Sequence, residues 1–196
     1  MKVVAFNGSP RKKGNTFAAI SLVLEEISKQ GIETEIVQVG GRKIYPCKAC
    51  GKCRQKKDGF CYGYENDNED ILNGCIKKMI EADGVIIGSP VYFGSLTPET
   101  KSLIDRSGYS ARGAGNTMLR RKVCAPIAVV RRQGAAAVLE QITSLFALSE
   151  AIVPYSTYWN MSICREIGEL ANDEEGVNTF KRLGENMAWL LHKINS

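Results

Sequence analysis

The chain has 196 residues, of which 44% are hydrophobic and 24% charged, and its net charge is +5. This length and composition are typical of one globular domain, and we expect residues 1–196 to form a single one. The longest apolar run, residues 123–130, is too short to cross a bilayer. The first residues also lack the apolar length of a secretory signal, so a cytoplasmic protein without a membrane partner is expected.

Apolar runs typical of strands alternate with amphipathic helical patterns along the chain. We predict five strands, at residues 2–6, 34–39, 84–88, 122–130 and 152–155. We predict helices at residues 16–30, 70–82, 97–107, 135–148 and 174–194. Strands that alternate with helices indicate a parallel sheet covered on both faces, in a doubly wound α/β fold. Ligands of such folds bind at the carboxyl ends of the strands.

Residues 7–16, NGSPRKKGNT, join the first strand to the first helix. This is not a Walker A loop, because five residues separate Gly8 from Gly14 and no lysine follows the second glycine. The free N–H groups at a helix start favour an anion. A single phosphate monoester, such as that of FMN, needs only amides, hydroxyls and one cation. The predicted phosphate-binding residues are Ser9, Arg11, Gly14, Asn15 and Thr16. The alternative is that Thr16 only caps the helix.

Residues 88–95, GSPVYFGS, follow the third strand and combine two aromatic side chains with flanking glycines. Such a loop can offer both apolar surface and closely approaching backbone N–H groups. The flat ring system of a flavin requires that combination. The loop residues available for such contacts are Pro90, Val91, Tyr92, Phe93, Gly94 and Ser95. The alternative is that the two aromatic residues only cover the core.

The segments SPRKKGNT, GSPVYFGS and TPETKSLIDRSG resemble the NADPH-dependent FMN reductase branch of the flavodoxin-like proteins. A cysteine-rich insertion at about residues 42–66 narrows the resemblance to the iron–sulfur flavoproteins. The resemblance implies a flavodoxin-like five-stranded parallel sheet of order 2-1-3-4-5, with FMN at the switch point and residues 90–95 around its ring. It also implies a third flavin loop with Arg131, Arg132 and Gly134, and a homodimer or homotetramer.

Cys47, Cys50, Cys53 and Cys61 have the spacing C-x2-C-x2-C-x7-C. The tight triplet suits adjacent corners of a 4Fe–4S cubane, and the longer gap lets the fourth cysteine return to the same cluster. We therefore predict a 4Fe–4S cluster on these four thiolates.

Residues 36–57 contain seven basic residues and no acid, so the rest of the chain carries −2. We expect this charge to offset that of the cluster and favour its reduction. Aromatic residues are nearly absent from the stretch, which argues against nucleic acid as a partner.

The four cysteines also fit three alternative roles. Zinc prefers two separated C-x2-C pairs, a redox dithiol belongs at a helix start in a thioredoxin-like context, and related loops carry such cysteines without a cluster. Among the remaining cysteines, Cys75 and Cys124 are expected to be buried apolar groups. Cys164 lies in a predicted loop and is a candidate for an exposed, reactive thiol.

These patterns predict an FMN-dependent oxidoreductase. It would pass electrons from NAD(P)H, or from a reduced carrier such as ferredoxin, through FMN to the cluster. No catalytic side chain is expected, because the cofactors carry the chemistry. The alternatives are a cluster-free NAD(P)H-dependent FMN, quinone or azo reductase, and a flavodoxin-like electron carrier without a substrate of its own.

Overall fold

The computed structural model describes residues 1–195 and contains one five-stranded parallel sheet. The strands lie in the order β2-β1-β3-β4-β5, as predicted. They are β1 (Lys2–Asn7), β2 (Glu33–Gln38), β3 (Gly84–Pro90), β4 (Val123–Val130) and β5 (Met161–Ile163).

Six α-helices accompany the sheet within the described residues. They are α1 (Asn15–Lys29), α2 (Lys52–Lys56), α3 (Leu72–Glu81), α4 (Pro98–Gly113), α5 (Ala135–Leu148) and α6 (Glu174–Ile194). The predicted pattern omits only the short α2, which lies inside the cysteine-rich segment. Within residues 1–195, no helix combines the length and the apolar character needed to cross a bilayer.

Alternation along the central strands sends side chains to two separate cores. Val4 and Phe6 of β1 face a core that α3, α4 and α5 cover. Val3 and Ala5 face the opposite core, which α1 and α6 cover. Because all strands are parallel, the loops after β1, β2, β3 and β4 emerge at the same edge of the sheet.

The predicted fifth strand at residues 152–155 is wrong. Ile152 forms only an isolated parallel bridge with Val123. Pro154, two residues on, has no N–H to donate, so it cannot extend a ladder there. The chain moves away and returns as Met161–Ile163, which pairs with the carboxyl-terminal half of β4.

Helix α4 continues six residues beyond the predicted end at Ser107. Gly108 resembles a helix stop in the sequence, but it serves close packing instead. A Cβ at this position would lie 3.1 Å from Cδ1 of Leu145 on α5. The additional residues of the helix, Tyr109 and Gly113 among them, contact the cysteine-rich segment. The predicted helix start is confirmed, since Pro98 is the first helical residue and Thr97 caps it through the Thr100 N–H.

Candidate functional site

The loops after β1 and β3 are joined directly to each other. The Gly8 N–H donates to the Gly88 carbonyl at 2.8 Å. The Thr97 hydroxyl donates to the Gly8 carbonyl at 2.8 Å, and the Thr97 N–H donates to Ser89 Oγ at 3.2 Å. The N-cap of α4 therefore fixes both loops at the carboxyl edge of the sheet.

The β1–α1 loop is also held from the β2 side. The Ser9 N–H donates to Asn7 Oδ1 at 3.1 Å, and the Ser9 carbonyl accepts from Gln38 Nε2 at 2.7 Å. Asn7 and Gln38 are themselves joined by a 2.8 Å side-chain hydrogen bond. A Cβ at Gly40 would lie 2.3 Å from the Ser9 carbonyl carbon, so the two backbones are in close contact. Asn7, Gln38 and Gly40 were not predicted as site residues.

The start of α1 is suited to an anion. Gly14 occupies the N-cap position without a capping side chain, and the first turn contains no acid. The amides of this turn have no intrahelical acceptor. Thr16 is buried in the first turn, and the Ser9 hydroxyl accepts from the Arg11 N–H at 3.2 Å. Arg11 is exposed and has no ion pair among residues 1–195.

Asn15 has a structural task that the sequence did not indicate. Its Nδ2 donates to the Glu166 carbonyl at 2.7 Å, and its Oδ1 accepts from the Gly168 N–H at 2.9 Å. The side chain thus ties α1 to the connection between β5 and α6. Nδ2 carries two N–H groups, and the hydrogen bond to Glu166 uses one of them.

The loop after β3 projects its aromatic residues outward. Tyr92 and Ser95 pair through two backbone hydrogen bonds of 2.9 and 3.0 Å, which closes a tight turn. Phe93 at the turn has φ of 47° and is fully exposed, and Tyr92 is 44% exposed. These side chains do not serve as core cover in this chain. Val91 is anchored by donating its N–H to the Val129 carbonyl at 2.9 Å.

The loop after β4 contacts the loop after β3. Gly134 has φ of 98°, and a Cβ there would lie 2.8 Å from Val91 Cγ1 and 3.2 Å from Gly94 Cα. Arg131 and Arg132 are exposed. Arg132 and Gly134 line a cavity of about 560 Å³ with Tyr158, Trp159 and the start of α6. The three predicted flavin loops therefore meet at one edge of the sheet, while their contacts with FMN remain a prediction.

The four motif cysteines line one small cavity of about 20 Å³. Arg106 and Tyr109 of α4 line the same cavity. A Cβ at Gly63 would lie 3.7 Å from the Cys61 sulfur and 3.8 Å from the Cys50 sulfur. Across the described residues 1–195, however, no three His, Cys, Asp or Glu side chains are arranged to hold a metal ion. The thiols thus share one cavity without forming a finished metal site.

Acidic residues that follow Cys61 fold back over the basic segment. Lys43 forms ion pairs with Asp67 at 3.0 Å and Glu69 at 2.8 Å, and Lys52 pairs with Glu65. The hydrogen bonds from Lys43 to Glu69 and Asp67 raise its pKa. The local positive charge is therefore smaller than the sequence of residues 36–57 suggests.

The remaining three cysteines are all buried. Burial raises the pKa of Cys75 to about 12 and that of Cys124 to about 12. The prediction of an exposed Cys164 is wrong. It lies within hydrogen-bonding distance of the Ser162 hydroxyl, and burial raises its pKa, so it is not a reactive thiol. The predicted loop turned out to contain β5, which places Cys164 against the core.

Comparisons with known sequences identify relatives over most of the chain. The family model described as NADPH-dependent FMN reductase matches residues 1–165. An iron–sulfur flavoprotein of Methanocaldococcus jannaschii is 36% identical over 201 residues, which cover 99% of this chain and 99% of the relative. An iron–sulfur flavoprotein of Archaeoglobus fulgidus is 37% identical over 161 residues, covering 82% of this chain and 75% of the relative.

A comparison with solved structures supports the fold. A flavodoxin from the domain Archaea superimposes with a TM-score of 0.62 over 98% of this chain and 99% of that one. The identity is only 11%, so this similarity concerns the fold alone. Together with the strand order, it confirms the predicted flavodoxin-like architecture.

Proposed function

Because the chain belongs to the NADPH-dependent FMN reductase family, and within it to the iron–sulfur flavoproteins, we propose that it passes electrons from NAD(P)H or a reduced carrier through FMN to a 4Fe–4S cluster. Membership of a reductase family makes the protein a flavin-dependent oxidoreductase and disfavours a simple carrier. One observation supports the two-cofactor proposal above others. The four thiols line one cavity beside α4, whose N-terminus is joined to the candidate flavin loops.

The phosphate of FMN is assigned to the start of α1. Ser9 and Thr16 supply hydroxyls, the first-turn amides supply N–H donors, and Arg11 supplies the cation. Asn15 contributes its remaining N–H and holds the helix start against the β5–α6 connection. The hydrogen bonds of Asn7 and Gln38 to Ser9 fix the loop before the ligand arrives.

The ring of FMN is assigned to the loops after β3 and β4. Residues 90–95 offer apolar surface and backbone N–H groups, and Gly134 allows the two loops to touch. Arg131 and Arg132 place positive charge at this edge, which stabilises negative charge on a reduced flavin. When bound, FMN supplies hydride acceptance and one-electron transfer, so the chain's own task is to bind and orient.

The cluster is assigned to Cys47, Cys50, Cys53 and Cys61. Four thiolates can also bind zinc, but zinc prefers two separated C-x2-C pairs. The tight C-x2-C-x2-C run suits adjacent corners of a cubane better. We place the exposed Cys47 and Cys50 on the outer side of the cluster, with Cys53 and Cys61 next to α4.

The second candidate is a cluster-free FMN, quinone or azo reductase. The ion pairs from Lys43, Lys52 and Arg106 to the acidic residues 65–70 cross-link this segment, which supports a structural role for it. Under this proposal the cysteine-rich segment is structural, and electrons leave FMN in pairs for a small-molecule acceptor.

The deciding experiment is a measurement of iron, sulfide, zinc and flavin in protein purified without oxygen. The first proposal requires about four irons and four sulfides for each FMN. Flavin with zinc or without metal supports the cluster-free reductase. A colourless protein that takes up no FMN would refute both.

The phosphate assignment is tested with Arg11→Ala. We expect this variant to lose FMN affinity by roughly tenfold or more while riboflavin affinity changes little, because riboflavin has no phosphate. Lys29→Ala, which removes an exposed cation at the far end of α1, is the matched control. Equal losses for both ligands would contradict the assignment.

A further inference from the structure

Cys61 is held more firmly than the exposed Cys47 and Cys50. Its N–H donates to Asn73 Oδ1 at 2.9 Å, and its carbonyl accepts from Asn73 Nδ2 at 2.9 Å. Its sulfur accepts two hydrogen bonds of 3.4 Å from Nε and Nη2 of Arg106. Backbone and sulfur of this cysteine are thus fixed by two side chains from different helices.

Arg106 is a buried cation that contacts Asp70 as well as the Cys61 sulfur. Its Nη1 donates to Asp70 Oδ2 at 2.6 Å and to the Tyr45 carbonyl at 3.2 Å. The side chains of Arg106 and Asp70 are only 2% and 4% exposed. One edge of the guanidinium therefore faces the Cys61 sulfur, while the remaining nitrogen is used by Asp70 and Tyr45.

Aromatic rings close the site around Arg106. The guanidinium carbon lies 4.8 Å from the centre of the Tyr64 ring, and Tyr64 stacks on Tyr45 with ring centres 4.4 Å apart. These rings limit the access of water, and charge interactions are stronger where water is excluded. The electrostatic interaction of Arg106 with the Cys61 sulfur is consequently much stronger than that of an exposed lysine.

We propose that Arg106 is a positioning residue that fixes Cys61 and raises the reduction potential of a cluster bound through it, and that Asp70 limits this increase. The inference rests on the cluster of the proposed function. Reduction adds negative charge to the cluster and its thiolates, and charged donors at a sulfur stabilise that charge. Removing the cation should make reduction harder, and removing its carboxylate partner should make reduction easier.

A purely structural ion pair would behave differently. Loss of either partner would then lower stability without shifting the potential in opposite directions. The variants Arg106→Gln and Asp70→Asn separate the two roles, because each keeps a hydrogen-bonding side chain and removes one charge. Since Arg106→Gln leaves a buried carboxylate unpaired and is at risk of misfolding, the double variant Arg106→Gln/Asp70→Asn is made alongside it. Arg112→Gln removes an exposed cation from the same helix and is the matched control.

The readout is the midpoint potential of the cluster in the anaerobically purified holoprotein, followed by electron paramagnetic resonance. We expect the equilibrium constant for one-electron reduction to fall roughly tenfold in Arg106→Gln, which is about 59 mV. The midpoint potential of the double variant should also lie below that of wild type. That of Asp70→Asn should lie above it, and that of Arg112→Gln should equal it. If Asp70→Asn and the double variant retain the cluster and their potentials equal that of wild type, this inference is refuted while the cluster proposal stands. A wild-type protein without iron and sulfide would overturn the cluster proposal, and this inference with it.

Discussion

Replacing Gly40 with alanine tests whether residues 8–16 hold the FMN phosphate. The new Cβ would lie 2.3 Å from the Ser9 carbonyl carbon and 2.4 Å from the Gly8 carbonyl oxygen. Unbonded carbon atoms stay roughly 3.5–4 Å apart, so the loop must move by roughly 1 Å. Such overpacking costs about 1–3 kcal/mol of folding stability. Loss of one hydrogen bond to a charged phosphate costs about 1.5–3 kcal/mol, which is roughly a tenfold to hundredfold loss of FMN affinity.

The assay is fluorescence titration of the flavin-free protein with FMN and, in parallel, with riboflavin. Urea unfolding of the same variants measures their free energy of unfolding separately from FMN affinity. Gly31→Ala is the control, because Gly31 has φ of 76° and nothing lies within 4 Å of the place that the alanine methyl group would take. It should lose about 1–2 kcal/mol of stability through backbone strain alone and keep its FMN affinity. A Gly40→Ala protein that unfolds earlier yet binds FMN as tightly as wild type would refute the phosphate assignment.

Three further outcomes are expected. Gly134→Ala should weaken FMN and riboflavin alike in the same titration, because its Cβ would press on the loop that is assigned to the ring; a loss confined to FMN would contradict that assignment. Burial raises the pKa of Asp173, but the hydrogen bonds from Ser162 and the Gly176 N–H lower it by more, so the net pKa lies below the ordinary 3.8. The stability that this carboxylate adds is therefore complete above about pH 5 and is lost as pH falls through its lowered pKa. Asp173→Asn should unfold earlier than wild type at pH 7, and the gap should shrink below pH 4; a gap independent of pH would show that charge is not involved. In native metal-free protein, mass spectrometry after alkylation should find label on Cys47 and Cys50, and label on Cys164 only after unfolding.

The sequence was sufficient for most of the fold because burial leaves a strong pattern in the central strands. Residues of β1, β3 and β4 are almost all buried, and their apolar runs are correspondingly continuous. The prediction of the fifth strand was wrong because Met161–Ile163 is only three residues long and pairs at the edge of the sheet. A short edge strand has no distinctive pattern, whereas residues 152–155 are more apolar but are interrupted by Pro154.

The site was predictable where chemistry leaves a local motif. Cysteine spacing and the glycine-flanked loops depend on neighbours in sequence, so they can be recognised without a structure. Asn7 contacts Ser9 locally, but Gln38 and Gly40 reach Ser9 from the end of β2, and only the register of β1 with β2 brings them there. Arg106 did leave a signal. It lies on the same stripe of α4 as the buried Leu103 and Ser110, where an unpaired cation would be costly.

Helix α4 sets how the two proposed cofactor sites are related within one copy of the chain. Its N-cap holds the candidate flavin loops, and Arg106 lies eight residues beyond Pro98, which is about 12 Å along a helix. Cys61 and Cys53 contact this helix, through Arg106 and through the Tyr109 carbonyl at 4.0 Å. Cys47 and Cys50 are exposed instead. If the cluster is bound as proposed, α4 fixes the half held by the partly exposed Cys53 and Cys61, and the half held by Cys47 and Cys50 faces outward. The outward half is then the side from which a redox partner would take electrons.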